Sequence, residues 1–210
     1  MKKKILLIII VLLVFTTGCG KNKSNAKYVK NEYSDIKVLF KIPVDDKEYY
    51  EDGIGFKYKM EYYILDVDEK NKLIDVYSIP PQFSVLNLND KHKYYGLFIM
   101  PFSIDIKNKL YKKKTYDYNL TLDIKITEPQ KFWNKKYSKD MNTEDFYNKR
   151  LKKLVDKNLN KAINKVLVKK EEINEINIKE LNDEFNKLIS KDIKNSGFTI
   201  NIRNIEFITK

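Results

Sequence analysis

Apolar and polar residues alternate through much of the chain before switching, near residue 143, to three- and four-residue spacing. From Gly55 to Leu65, Phe56, Tyr58, Met60, Tyr62 and Ile64 interleave with Lys57, Lys59, Glu61 and Tyr63. A period near two predicts a half-buried strand. Leu73 to Ser78 predicts a second strand, and Pro80-Pro81 prevents its continuation as a central one. Gln82 to Leu88 alternates again, and Asn89-Asp90 reads as a turn. The clearest strand runs from Tyr116 to Ile126, with Tyr116, Tyr118, Leu120, Leu122, Ile124 and Ile126 on one face. Asp117, Asn119, Thr121, Asp123 and Lys125 take the other, so one face should be buried and one wet. Glu128-Pro129 ends it, because proline has no N–H for the ladder.

The helical spacing begins with Thr143 as the expected N-cap, followed by Glu144 and Asp145 at the positive helix end. Tyr147, Leu151, Leu154, Val155, Leu159, Ala162, Ile163, Val166 and Leu167 form one apolar stripe. A second helix starts at a capping-box-like pair, Asn177 and Glu180, and carries Ile178, Leu181, Phe185, Leu188, Ile189 and Ile193. Gly197 stops it. Phe198, Ile200 and Ile202, then Ile205 and Phe207, predict a closing strand. The one-residue slip in apolar phase predicts a bulge, or a change of partner, near Arg203 and Asn204. Strands followed by helices imply an α+β fold. No internal repeat is visible.

The first residues follow a different pattern. Lys2, Lys3 and Lys4 precede an unbroken apolar run from Ile5 to Phe15, then Thr16, Thr17 and Gly18. This is the layout of a secretory signal. The apolar run is short for an uncleaved anchor, since a spanning helix needs roughly 20 apolar residues. Cys19 follows directly and is the single cysteine, so an intramolecular disulfide is excluded. Residues 20–34 are polar and aperiodic, as in a tether.

Removing the leader takes away three lysines and lowers the net charge from +12 to +9. A hydrophobic fraction of 42% suffices for a packed core, and six glycines and five prolines are too few for a low-complexity chain. The basic balance raises the question of nucleic acid. An export signal argues against that partner, and lysines and aromatics do not combine into a reading motif. A solvated lysine surface that suits anionic headgroups fits better, with Lys21, Lys23, Lys27 and Lys30 just past the expected anchor.

Catalytic chemistry is not evident. His92, the single histidine, lies between lysines in Asp90-Lys91-His92-Lys93-Tyr94 and is expected on an exposed loop, without the partners that a metal or triad role needs. Asp66-Val67-Asp68-Glu69 lacks the glycine and terminal glutamate offsets of a calcium loop. No phosphate-binding glycine loop or nucleophile elbow occurs. Trp133 and Phe132 suit either a core plug beneath the first helix or an aromatic foot at a membrane interface. Tyr94, Tyr95, Phe98 and Phe102 pose the same alternative, and all six are candidate membrane or partner contacts.

Thr16-Thr17-Gly18-Cys19 resembles the lipobox of bacterial lipoproteins, with Thr16 where leucine is usual. The resemblance implies cleavage before Cys19, a diacylglycerol on its sulfur and an acyl group on its amine, with no other cofactor. It implies a lipid-anchored protein on the extracytoplasmic side of the cell membrane or outer membrane.

Residues 73–208 resemble the SPFH or band 7 family (stomatins, prohibitins, flotillins). The matching pieces are Tyr95-Gly96-Leu97-Phe98-Ile99-Met100-Pro101-Phe102, the strand Tyr116 to Ile126 with Glu128-Pro129-Gln130-Lys131-Phe132, the helix ending Asn160-Lys161-Ala162-Ile163-Asn164-Lys165-Val166, the connector Glu171-Glu172-Ile173-Asn174, and the segment from Asn195 to Ile205. The resemblance implies a strongly bent antiparallel sheet packed against two amphipathic helices and ending in a strand. It also implies a non-catalytic scaffold or regulator of a membrane protein or of itself. The long coiled coil common in that family is missing after the closing strand, so large cages are not expected. The expected organisation is a signal at 1–18, a lipidated cysteine and tether at 19–34, a β extension at 35–72 and the band 7-like domain at 73–210. The competing expectation is a surface lipoprotein whose tyrosines and Trp133 line a ligand pocket. Radiolabelled palmitate is expected to incorporate into the wild-type chain and not into Cys19→Ala, and equal labelling of the two would overturn the lipobox assignment.

Overall fold

The computed structural model of the chain describes residues 26–42, 47–50, 53–56, 62–78, 91–111, 115–133, 140–167 and 176–208. The strand with the strongest alternation organises it. Strand β9 (Thr115–Ile126) pairs antiparallel with β8 (Phe102–Tyr111) on one side and β11 (Phe198–Ile208) on the other. Strand β1 (Lys27–Val29) extends this sheet beyond β8, giving the order β1-β8-β9-β11. On β9, Tyr118, Leu120, Leu122, Ile124 and Ile126 are buried, and the residues between them are partly or fully exposed. The expected two-faced strand is thus observed.

A second antiparallel sheet has the order β10-β2-β7-β5-β6, built from β2 (Lys37–Lys41), β5 (Tyr62–Val67), β6 (Leu73–Ser78), β7 (Lys93–Phe98) and the two-residue β10 (Met141–Asn142). A separate hairpin joins β3 (Lys47–Tyr50) to β4 (Gly53–Phe56). The stretch expected as one strand over Gly55–Leu65 therefore has its two ends in different sheets. The strand expected over 82–88 and the turn at Asn89-Asp90 lie outside the described residues. The fold is α+β, with the strands divided between two main sheets rather than forming one bent sheet. Strands β7 and β8 adjoin in sequence, and Pro101 between them has no N–H with which to continue a ladder.

Two helices cover the apolar face of the first sheet. After the single turn α1 (Pro129–Phe132), the chain enters α2 (Thr143–Phe146), a π turn (Tyr147–Leu151) and α3 (Lys152–Leu167), followed by α4 (Ile178–Ile193). Leu154, Val155, Leu159, Ala162, Ile163, Val166 and Leu167 of α3 are buried, as are Leu181, Phe185 and Ile189 of α4. These share one core with both main sheets. Each large side chain fully buried there contributes roughly 1.5–3 kcal/mol.

Caps and breaks follow local chemistry. Asn177 caps α4, its side chain accepting from Lys179 N at 2.9 Å and Glu180 N at 3.3 Å. At the start of α2, Asn142 and not Thr143 is the N-cap, accepting from Asp145 N at 2.8 Å. The Thr143 hydroxyl is buried and directed to the Tyr33 and Ser34 carbonyls. The expected irregularity in β11 is a register shift between Ile202 and Asn204. After α4, Gly197 adopts φ +77°. Its carbonyl accepts from Thr127 N and Glu128 N, and a Cβ there would lie 2.3 Å from the Phe132 nitrogen.

Gly197→Ala therefore combines a disfavoured left-handed residue with a backbone clash. Its expected cost is about 1–3 kcal/mol in urea unfolding, the range for a non-glycine residue held in a sparsely populated conformation. An unchanged midpoint would show that the α1 turn yields freely.

Candidate functional site

The described residues nearest the expected anchor start at Ala26. Cys19, Lys21 and Lys23 lie outside the described residues. Ala26, seven positions after Cys19, is completely buried. Asp156 on α3 accepts its N–H at 3.1 Å. The Ala26 carbonyl accepts from the Tyr147 hydroxyl at 3.0 Å and from Lys152 Nζ at 2.6 Å. Lys152 and Asp156 also pair with each other at 3.2 Å, one helical turn apart. Both backbone groups of Ala26 are thus held by the π turn and the first turns of α3. Burial, with a smaller push from Asp156, raises the Tyr147 pKa well above its usual range and keeps the hydroxyl a donor.

The chain then forms β1, with Lys27 opposite Lys107 and Tyr28 opposite Ile106. The Tyr28 hydroxyl meets Ser34 Oγ at 2.8 Å and Thr143 Oγ1 at 3.0 Å. Asn31 Nδ2 donates to the Ser103 carbonyl and to Asp105. Residues 26–34, expected as part of a tether, belong to the fold. Polar composition concealed this because the segment is held mainly by hydrogen bonds to side chains far away in sequence. The boundary expected at 72/73 also falls inside a hairpin, since Val67 pairs with Leu73. Strands β2 and β5 flank β7, so these two strands of the expected extension are integral parts of the second sheet.

A parallel network fixes α3 one turn further along. Asn108 Nδ2 donates to the buried Tyr118 hydroxyl at 2.8 Å, and Tyr118 donates to Asn160 Oδ1 at 2.8 Å. Asn160 Nδ2 completes the set on the Lys109 carbonyl at 3.0 Å. Burial raises the Tyr118 pKa far above the ordinary phenol value, partly opposed by the bond from Asn108.

Five of the six aromatic candidates for membrane or partner contact are buried, and Trp133 packs partly buried against the core. Phe132 is fully buried, and Phe102, Tyr95, Tyr94 and Phe98 are between 1% and 7% exposed. Phe132 stacks on Phe146, and Phe102 meets Phe146 edge-on. Trp133 is half-buried, packs on Tyr95 at 4.9 Å and donates through Nε1 to the Asn71 carbonyl at 3.3 Å. Aromatic spacing alone does not distinguish core from contact. The bury-or-bind choice was settled by α1, which turns Phe132 inward.

His92 also departs from expectation. Its Nδ1 lies 2.7 Å from the buried Asp66 carboxylate, and only a fifth of its side chain is exposed. Tyr77 reaches the other oxygen of Asp66 at 3.5 Å, and burial raises its pKa, with Asp66 adding to the effect. This group crosses β5, β6 and the start of β7. Periodicity carried no signal for it, because its members are 11 and 26 positions apart. The imidazole and the carboxylate are within hydrogen-bond distance, which ties the start of β7 to β5. Among the described residues no cluster of three or more histidine, cysteine or carboxylate groups suits a metal, and no helix is long and apolar enough to cross a membrane.

Comparison with protein-family models and with curated proteins yields no match.

The clamp on Ala26 makes a direct expectation. Asp156→Ala removes the acceptor of Ala26 N–H and the partner of Lys152. The expected result is much faster tryptic cleavage after Lys27 and Lys30 while the core remains folded, with a stability loss of about 1–3 kcal/mol. Unchanged cleavage would show that strand pairing alone holds the segment.

Proposed function

We propose that the chain is an extracytoplasmic lipoprotein, anchored through acylated Cys19, whose folded part works by docking to a membrane protein or to a second copy of itself. The observation that carries this is the sequence from Lys2 to Cys19, together with the clamping of Ala26, seven residues after Cys19, into the fold. Two acyl signals hold a protein durably at a bilayer, whereas one chain binds marginally. In this reading the protein acts as a band 7-like scaffold without turnover. The element order supports that class: the long alternating strand is followed by an acidic-Pro turn, two amphipathic helices and a closing strand that returns along it.

The ligand-binding alternative is weaker. Its pocket calls on the tyrosines and Trp133, and these pack against one another and the core. The groove that does open between α3 and α4 is lined by charged residues, including the Lys165–Glu184 pair, and not by aromatics.

Crosslinking of the full-length lipidated protein in its own membranes tests the docking role. A discrete adduct with one integral membrane protein or with another copy, lost in Cys19→Ala, is the expected outcome. A strictly monomeric species with no adduct in either form would overturn it.

A further inference from the structure

Polar side chains interrupt the open edges of the two main sheets, with one exception among the described residues. A bare edge presents unpaired N–H and C=O groups that can template a further strand. On β8, β1 lies against Asp105 to Lys107, and the Asn31 amide donates to the Ser103 carbonyl at 3.1 Å. Beyond β1, the Lys109 N–H donates to Asn108 Oδ1 at 2.8 Å, and the Lys109 carbonyl accepts from Asn160 at 3.0 Å. At the middle of β6, the Val76 N–H donates to the Asp75 carboxylate at 2.7 Å. Beside β2, the Lys41 N–H donates to Asp140 at 2.8 Å. In the first half of β11, the Ile202 N–H donates to Asn182 of α4 at 2.8 Å.

The exception is the second half of β11. Lys109 turns its backbone groups away from β9, so its partner Asp117 turns its own toward β11. Asp117 lies opposite Ile208, and the groups of Ile208 and Glu206 therefore bond to β9. Those of Ile205 and Phe207, opposite Leu120 and Tyr118, point out of the sheet. Among the described residues no side chain caps them.

The side chains around this edge ask for a donor. Glu206 is exposed and has no ion-pair partner among the described residues. Asn119 lies directly opposite Glu206, and its Oδ1 is buried without a hydrogen-bond donor. Ile208, on the same face, is 42% exposed. A second copy is a poor occupant. Antiparallel pairing that uses both Ile205 and Phe207 sets Glu206 opposite Glu206, and like charges directly opposite are destabilising.

We infer that the β11 edge from Ile205 to Ile208 accepts an extended segment of a partner protein, added as a strand, with a basic residue opposite Glu206 and apolar neighbours. Backbone bonds to Ile205 and Phe207 supply the pairing, and side chains supply the selectivity. An arginine suits the basic position, since its planar donors can serve the Glu206 carboxylate and reach toward Asn119 Oδ1. This rests on the docking role proposed above and not on the lipid anchor.

The test uses the full-length protein in detergent micelles and a pair of short fluorescent peptides of alternating valine and threonine. One carries arginine and the other glutamate in place of the central threonine. The arginine peptide is expected to bind about tenfold tighter than the glutamate peptide. The order reverses in Glu206→Arg. Ile205→Pro removes an outward N–H and leaves the bonds to β9 in place, so it binds neither peptide. Amide exchange at Ile205 and Phe207 slows when the arginine peptide is bound. If Ile205→Pro does not melt cooperatively, exchange of the wild-type amides decides alone. Equal binding of the two peptides overturns the basic match. No binding at millimolar peptide, or no change in exchange at these amides, overturns strand addition. Slow exchange there in the protein alone, with a dimer in sedimentation, overturns the choice of a partner over a second copy. In native membranes, a crosslinked adduct that persists in Glu206→Arg keeps the docking role and removes it from this edge, whereas no adduct in any form overturns docking itself.

Discussion

One apolar face of β9 has to be kept from water along the whole length of the strand, and most of the fold answers that requirement. Strands β8 and β11 satisfy its backbone groups on both sides, and α3 and α4 cover its side chains. The shift in β11 serves the same end. Ile202 lies opposite Leu122 and Asn204 opposite Thr121, which leaves Arg203 as an extra residue. Without it, Ile205 and Phe207 would turn to the polar side, because a slip of one residue reverses the faces of a strand. With it, Phe207 packs on Tyr118 at 5.6 Å. Arg203 itself, on the wet face, reaches the Asp123 carboxylate at 2.9 Å.

The second sheet solves a different problem, being buried near its centre on both faces. Leu39, Leu65, Tyr95 and Leu97 join the shared core, whereas Phe40, Ile42, Ile64 and Tyr94 form a separate cluster. Gly96 makes that cluster possible. The Phe40 ring lies where its side chain would be, and a Cβ would come within 2.4 Å of the ring. The same face ends in the Asp66–His92 pair, so polar groups at its border are satisfied instead of stranded.

These two sheets leave the N-terminal segment as the element with the least apolar content, and it is retained by hydrogen bonds. Ala26 is too small to bury much surface. Its two backbone groups are bound by Asp156, Tyr147 and Lys152, and Tyr28 and Asn31 add further polar contacts. Such bonds are each worth only about 1 kcal/mol net, yet they are directional. They fix the position of Ala26 against Tyr147 and α3.

Much of the architecture is local information. Alternation along β9 and β11, the stripes of α3 and α4, the Asn177 cap, the Gly197 stop and the slip in β11 can all be read from neighbouring residues, since period and phase are properties of a short window. The pattern from Lys2 to Cys19 is equally local, and the anchor proposed from it rests on no contact in the fold. What only the tertiary structure decided involves residues that are remote in sequence. Ala26 meets Asp156 across 130 positions, and Asp66 meets His92 across 26. The same holds for the aromatic candidates: Phe132 and Tyr95 are apolar enough for a membrane or a core, and only the packing of α1, β7 and α2 assigns them to the core. The sequence by itself determined the long strands and helices, because their periods are written in adjacent side chains. The fold decided which polar groups converge and which aromatics are covered, because desolvation is a property of everything that surrounds a residue.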